Sequence, residues 1–365
     1  MLGIARRVAV VAVVLCLGGC ADLGYYWQSV HGQISLMAAA RPVDDWIADP
    51  RTPAPLKARL ELAQRIRRFA VTELDEPDNA SYHRYADLHR SAVVWNVVAA
   101  PPYSLTLKTW CFPIAGCVGY RGYFDEAAAQ REAAGLRAQG LEVSVYGVPA
   151  YSTLGWLNWA GGDPLLNTFI DYPEGELARI IFHELAHQIL YVPGDTVFNE
   201  SYATAVEIMG GARWLSERAS PAAREQYARY ETRRQQFRAL TTATRRQLML
   251  IYKGNRATAV DRSAMEALKN RAMQEFRDNY AKLKASWGGY AGYDHWVAGA
   301  NNASFGALAF YDELVPEFEA LFAREGSRWP RFYDAVKQLA RLPKDERIKA
   351  LDMMAGPISG ETNGG

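Results

Sequence analysis

Ala178-Arg179-Ile180-Ile181-Phe182-His183-Glu184-Leu185-Ala186-His187-Gln188-Ile189-Leu190 decides how this chain is read. Its apolar spacing predicts a buried helix, beginning after Pro173 and ending before Pro193-Gly194. Residues four apart on a helix lie one above the other. His183 and His187 can therefore meet one metal ion, while Glu184 projects to the side where it can hold a water molecule. One histidine on such a helix would read as a core residue. Two at this spacing with a glutamate between them read as metal ligands.

A catalytic zinc takes three protein ligands and leaves a fourth position for water. Twelve residues separate His187 from Glu200, in Phe198-Asn199-Glu200-Ser201-Tyr202-Ala203-Thr204-Ala205-Val206-Glu207. The turn Tyr191 to Thr196 can reverse the chain. Glu200 would then open a second helix facing the two histidines, although a glutamate there could also be a helix-terminal charge. Glu207, two turns on, reads equally as a carboxylate orienting a ligand histidine or as surface.

HELAH followed by NESYATAVE resembles the gluzincin metallopeptidases, including their membrane-alanyl-aminopeptidase branch. Trp110 to Phe124 (WCFPIAGCVGYRGYF), Val148 to Trp156 (VPAYSTLGW) and the HELAHQ run together resemble a bacterial family described as putative aminopeptidases. The resemblance implies one Zn2+ per chain on His183, His187 and Glu200, Glu184 as the base, and a peptide substrate. It also implies that Ala150, Tyr151, Ser152 and Thr153 form a sheet edge for the substrate backbone. Tyr151 alone reads equally as core. Tyr293 and His295 are candidates for oxyanion stabilisation, because their segment could fold over the cleft. Asn301-Asn302 could add polar contacts or cap a turn. An endopeptidase, a non-catalytic envelope scaffold with structural zinc, and a periplasmic binding or chaperone module on a retired peptidase fold are the competing functions; a closed structural site would need a fourth ligand.

The fold class expected is α+β: a zincin-like catalytic lobe with a small mixed sheet and the motif helix, then a mainly helical lobe. The boundaries expected are 1–20 for a leader, 21–215 for the catalytic lobe, 216–355 for the helical lobe closing the cleft, and 356–365 for a disordered tail. In the helical lobe, Pro221 to Lys253 and Arg262 to Ser286 predict a long hairpin joined at Gly254-Asn255, with one contact face and a solvated basic face.

Net charge is +1, which gives no reason to expect a nucleic-acid partner. Arg6 and Arg7 precede an apolar run, Val8 to Leu17, too brief for a stable span. Leu17-Gly18-Gly19-Cys20 resembles a bacterial lipobox, which implies cleavage before a lipidated Cys20. The expectation is a periplasm-facing, lipid-anchored protein of the bacterial envelope, and Ala21 after Cys20 points to the outer membrane. Cys111 and Cys117 would then be an even pair in an oxidising compartment and read as a local disulfide. A metal pair is the alternative, but no second Cys/His pair lies nearby.

Overall fold

The computed structural model describes residues 24–112, 116–257, 262–308 and 314–355. Cys20, the expected leader and the 356–365 tail lie outside them. Helix α1 (24–39) leads through β1 (Arg41–Pro42) and α2 (Val43–Ala48) to α3 (Ala54–Leu74). Strands β2 (Arg84–Ala86), β3 (Val94–Ala100), β4 (Trp110–Phe112), β5 (Gly116–Val118) and β6 (Arg121–Tyr123) follow. Then come α4 (Glu126–Ala138), β7 (Glu142–Val148), β8 (Leu165–Leu166), α5 (Glu174–Ile189) and α6 (Thr196–Glu217).

The fold class is α+β, as the sequence predicts, but the strands are divided. β1-β2-β8 form one small mixed sheet, β6-β3-β7 an antiparallel sheet, and β4-β5 a hairpin. Cys111 and Cys117 face each other across that hairpin and are joined by a disulfide. The β6-β3-β7 sheet buries Trp95, Val97 and Ala99 against Ala129, Ala133 and Leu136 of α4, whose alanine-rich face lets strand and helix approach closely. Asp125 caps α4 by accepting from the Ala128 amide.

Two glycines of α6 set how closely it approaches α5 and α3. A Cβ on Gly210 would lie 2.7 Å from Leu74 Cδ1 and 3.0 Å from Phe182, and one on Gly211 would lie 2.7 Å from Arg179 Cγ. Glycine is required here by close approach, since both positions are helical. Helix α6 starts earlier than expected: Asp195 is its N-cap, accepting from Phe198 N, so Glu200 sits one turn inside the helix.

Helices α7 (Pro221–Ala257) and α8 (Arg262–Ser286) make the long hairpin. Gly254 and Asn255 continue α7 and are not its turn; the connection lies outside the described residues. The hairpin buries Phe237, Leu248, Met273, Phe276 and Tyr280 with Val297 of α9 (Asp294–Gly299) and Phe305, which belongs to α10 (Asn302–Ala307). Asn301 caps α10 through a reciprocal pair with Ser304, and Asn302 is buried between Tyr252 and the Pro101 and Pro102 carbonyls. Both asparagines are therefore structural.

The expected helical lobe 216–355 does not share one core. The last three helices, α11 (Val315–Arg324), α12 (Trp329–Ala340) and α13 (Lys344–Ala355), pack with α3, α5 and α6. Phe318 meets Phe198 edge-on, Phe332 stacks on Tyr202, and the Tyr333 hydroxyl donates to Leu74 O. Their apolar faces complete the core beneath the motif helix, while Phe237, Leu248, Tyr252, Phe276, Tyr280 and Phe305 belong to a separate hydrophobic cluster. Arg347 on α13 is buried and ion-paired with the Asp195 cap, with Lys344 3.5 Å away on the other oxygen.

Loss of Asp195 would remove the α6 cap and leave the Arg347 guanidinium buried without its counter-charge. Asp195→Ala is expected to cost about 3–5 kcal/mol in urea unfolding; a loss below ~1 kcal/mol would show that the pair does not fasten α13 to α6. Glu76 offers a pH signature. It is buried, neither carboxylate oxygen has a hydrogen-bond partner, and burial pushes its carboxyl well above the usual range despite Arg67. A carboxyl with a raised folded pKa stabilises fully below its unfolded value, and that stability is lost as pH rises through the folded value. Glu76→Gln should therefore raise the Tm relative to the parent at pH 8 but not at pH 4.5; equal differences at both pH values would refute this.

Candidate active site

Pro173 starts α5 and leaves Glu174 and Glu176 in its first turn, where acidic groups suit the helix dipole. The apolar residues Leu177, Ile181, Phe182 and Leu185 are buried against α3 and α6, which turns His183 and His187 toward a cleft. The two Nε2 atoms lie 3.1 Å apart. Glu200 Oε2 lies 3.3 Å from His183 Nε2 and 3.7 Å from His187 Nε2. Ligands about 2.1 Å from a tetrahedral ion stand ~3.4 Å from one another. Two imidazole nitrogens and one carboxylate oxygen are thus spaced to share a divalent cation, and these three residues form a possible metal site.

Electrostatics bind the three together. Burial pushes the Glu200 carboxyl up, but His187 and His183 outweigh it and hold Glu200 well below the usual carboxylate range. Glu207 also faces the site, its Oε2 3.0 Å from His183 Nδ1. Burial opposes the Glu207 charge, yet Arg179 and His183 hold its pKa down to about 2. Arg179 lies one turn before His183. It pairs with Glu207, donates to the Tyr227 hydroxyl at 2.8 Å and meets Glu231 at 3.2 Å. Glu184 is buried beside the ligands, and its carboxyl is pushed up to about 7, first by burial and then by Glu200 and Asp163, against the histidines.

The cleft has a volume of about 840 Å³. Its motif side holds His183, Glu184, His187 and Glu200; Tyr230, Glu231, Arg234 and Phe237 line it from α7. The hairpin face expected to be solvated is therefore partly a cleft wall: Arg234 pairs with Glu231 and, at 2.9 Å, with Glu176 of α5. The chain belongs to the putative aminopeptidase family. Its family model matches residues 24–351, which takes in both cleft walls. No curated protein and no solved structure matches the chain.

Ala150, Tyr151 and Ser152 line the same cleft, but they are not a strand. β7, the edge strand of its sheet, ends at Val148. Beyond it, the Thr153 amide and hydroxyl both donate to Asp163, at 3.1 and 2.7 Å, so a side chain takes the bonds a strand partner would make. Gln188, next to His187, donates to the same Asp163 at 3.1 Å and ties the segment to the motif helix. Tyr151 is both core and wall: it meets Phe124 edge-on and borders the cleft.

Tyr293 lines the cleft from the hairpin side, stacked on Phe237 with ring centroids 4.0 Å apart. His295 is exposed and does not line it, because the short helix α9 turns Val297 inward and leaves His295 outside. Tyr120 and Tyr191 are cleft residues that residue order did not single out as chemical groups. Burial raises the Tyr120 hydroxyl far above its ordinary pKa, and the nearby Glu200 and Glu184 charges raise it further, so it remains a donor. Its glycine- and aromatic-rich context, Val118-Gly119-Tyr120, was the one available signal.

Removing the negative partner of His183 Nδ1 should loosen the site without removing a ligand. Glu207→Gln is expected to weaken divalent-ion uptake about 10–100-fold, read by competition with a chromophoric chelator. Unchanged affinity would mean that Glu207 serves only its ion pair with Arg179.

Proposed function

We propose that the chain is a zinc-dependent peptidase acting as an aminopeptidase, with a zincin-like catalytic lobe and a lipid anchor on Cys20 in the bacterial envelope. The observation that carries the catalytic reading is the convergence of His183, His187 and Glu200, with the buried Glu184 beside them. Imidazole and carboxylate donors suit zinc. Zinc, when bound there, lowers the pKa of water and polarises the scissile carbonyl.

The chain's own groups would carry the protons. Glu184 accepts a proton as the water oxygen bonds to the carbonyl carbon, and delivers it to the amide nitrogen as the C–N bond breaks. Its raised pKa suits a group that must both take and give a proton near neutrality. Tyr120, kept protonated, is the donor proposed for the developing oxyanion. Glu207 and Arg179 hold the His183 ring in place.

One observation favours the endopeptidase reading as a second. An aminopeptidase needs a carboxylate for the substrate's free amine. Apart from Glu184 and Glu200, the carboxylates lining the cleft among the described residues are Glu207 and Glu231, and both are paired with arginines.

The zinc-loaded chain from Ala21 onward should release amino acids from N-terminal amide substrates. Glu184→Gln should retain about one zinc but lose activity by at least ~10²-fold, and Tyr120→Phe should lower kcat with KM little changed. Cleavage that survives N-acetylation of the substrate would exchange the aminopeptidase reading for the endopeptidase one. An inactive parent with zinc bound would remove both.

A further inference from the structure

Helix α1 (24–39) contains no Lys, Arg, Asp or Glu. One face is fixed to the body of the protein. Tyr25 stacks on Phe112 with centroids 5.5 Å apart, Gln28 accepts from the Phe124 amide at 3.0 Å, and Leu36 is buried. Gly32 presses so closely on the Phe124 ring that a Cβ there would stand 2.2 Å from Cγ. The opposite face carries Trp27, Val30 and Ile34, at helical spacing, exposed by 72%, 55% and 62%. An uncharged apolar stripe this open to solvent marks a contact surface.

A second exposed aromatic group adjoins it. Arg84 donates to the Met37 carbonyl at 3.2 Å, to that of Ala40, and to Ala160 O at 3.4 Å, joining the end of α1 to the loop that bears Trp156 and Trp159. Those indoles are 63% and 85% exposed. Tryptophan is the side chain best suited to the boundary between headgroups and acyl chains. Among the described residues no helix is long and apolar enough to cross a membrane, whereas a helix with one exposed apolar face can lie in the interface plane.

We infer that the Trp27–Val30–Ile34 face of α1 docks on the surface of a lipid bilayer. The inference rests on the proposed anchor at Cys20 for its choice of partner. Three residues lie between Cys20 and Gly24, and the four Cα–Cα steps span at most ~14 Å, so acyl chains on Cys20 would bring the bilayer to the start of α1. The inner face of the same helix supplies Tyr25 and Ser29 to the active-site cleft. One helix diameter, about 10 Å, would therefore separate membrane from cleft, and the enzyme would work on peptides held close to the lipid surface.

The test uses the chain from Cys20 onward, coupled through that thiol to a maleimide lipid in phosphatidylethanolamine/phosphatidylglycerol vesicles containing brominated acyl chains. Cys111 and Cys117 are consumed by their disulfide, which leaves Cys20 as the reactive thiol. Docking predicts tryptophan quenching that falls at least two-fold in Trp27→Phe, and likewise in the Val30→Ser/Ile34→Ser double variant with Trp27 retained. No quenching in the tethered parent, or equal quenching in all three proteins, overturns the inference. Chemical tethering makes this result independent of natural lipidation. That is read separately from the mass of the Cys20 peptide recovered from cell membranes; an unmodified Cys20 with quenching intact would remove the anchor and leave the docking face standing.

Discussion

The close packing of α5 on α6 is the constraint on which the site depends. Gly210 and Gly211 carry no Cβ where α6 meets Phe182 and Arg179 of α5, and along the same helix pair Glu200 lies 3.3 Å from His183 Nε2 and 3.7 Å from His187 Nε2. A carboxylate buried this deeply is costly unless cations face it. His183 and His187 supply that compensation in the protein alone, and a divalent ion would supply it more strongly. Burial makes the group of donors expensive when incomplete and strongly attractive to a cation. The same burial raises the Glu184 carboxyl.

The supports of the site come from distant parts of the chain. Arg179 and Glu207 bridge α5 and α6, Glu231 and Arg234 extend the charge network to α7, and Asp195 joins the start of α6 to α13 through Arg347. On the other side, Asn79 and Ser81 bond Gln188, which shares Asp163 with Thr153. These bonds place the 150–153 segment beside the motif without a sheet. The scaffold is thus a set of buried polar ties laid over an apolar core, and each tie has a charged or amide side chain at its centre.

Helix positions and the local ligand geometry were legible because both follow from short-range rules. The i,i+4 histidines, the glycine and proline stops around α4 and α5, and the Cys111–Cys117 pair each lie within one element or one turn. What depended on long-range packing was not legible. The return of 314–355 to the α3–α5–α6 core involves contacts such as Tyr333 to Leu74, separated by 259 residues, which periodicity cannot express. The family resemblance implies a sheet edge at Ala150–Thr153, but Asp163 captures the Thr153 amide and hydroxyl. Tyr293 and His295 are neighbours in sequence, yet Tyr293 precedes α9 and lines the cleft while His295 is exposed on the helix. Arg179 sits inside an apolar run whose periodicity gives no sign of chemistry, and it is the hub between Glu207, Tyr227 and Glu231.

The most direct measurement is anomalous diffraction at the zinc absorption edge from crystals of the zinc-loaded chain. One strong peak is expected about 2.0–2.2 Å from His183 Nε2, His187 Nε2 and a Glu200 oxygen, with a coordination position open to the cleft. A peak elsewhere, or Glu200 turned away from the two histidines with no other acidic group in its place, would contradict it.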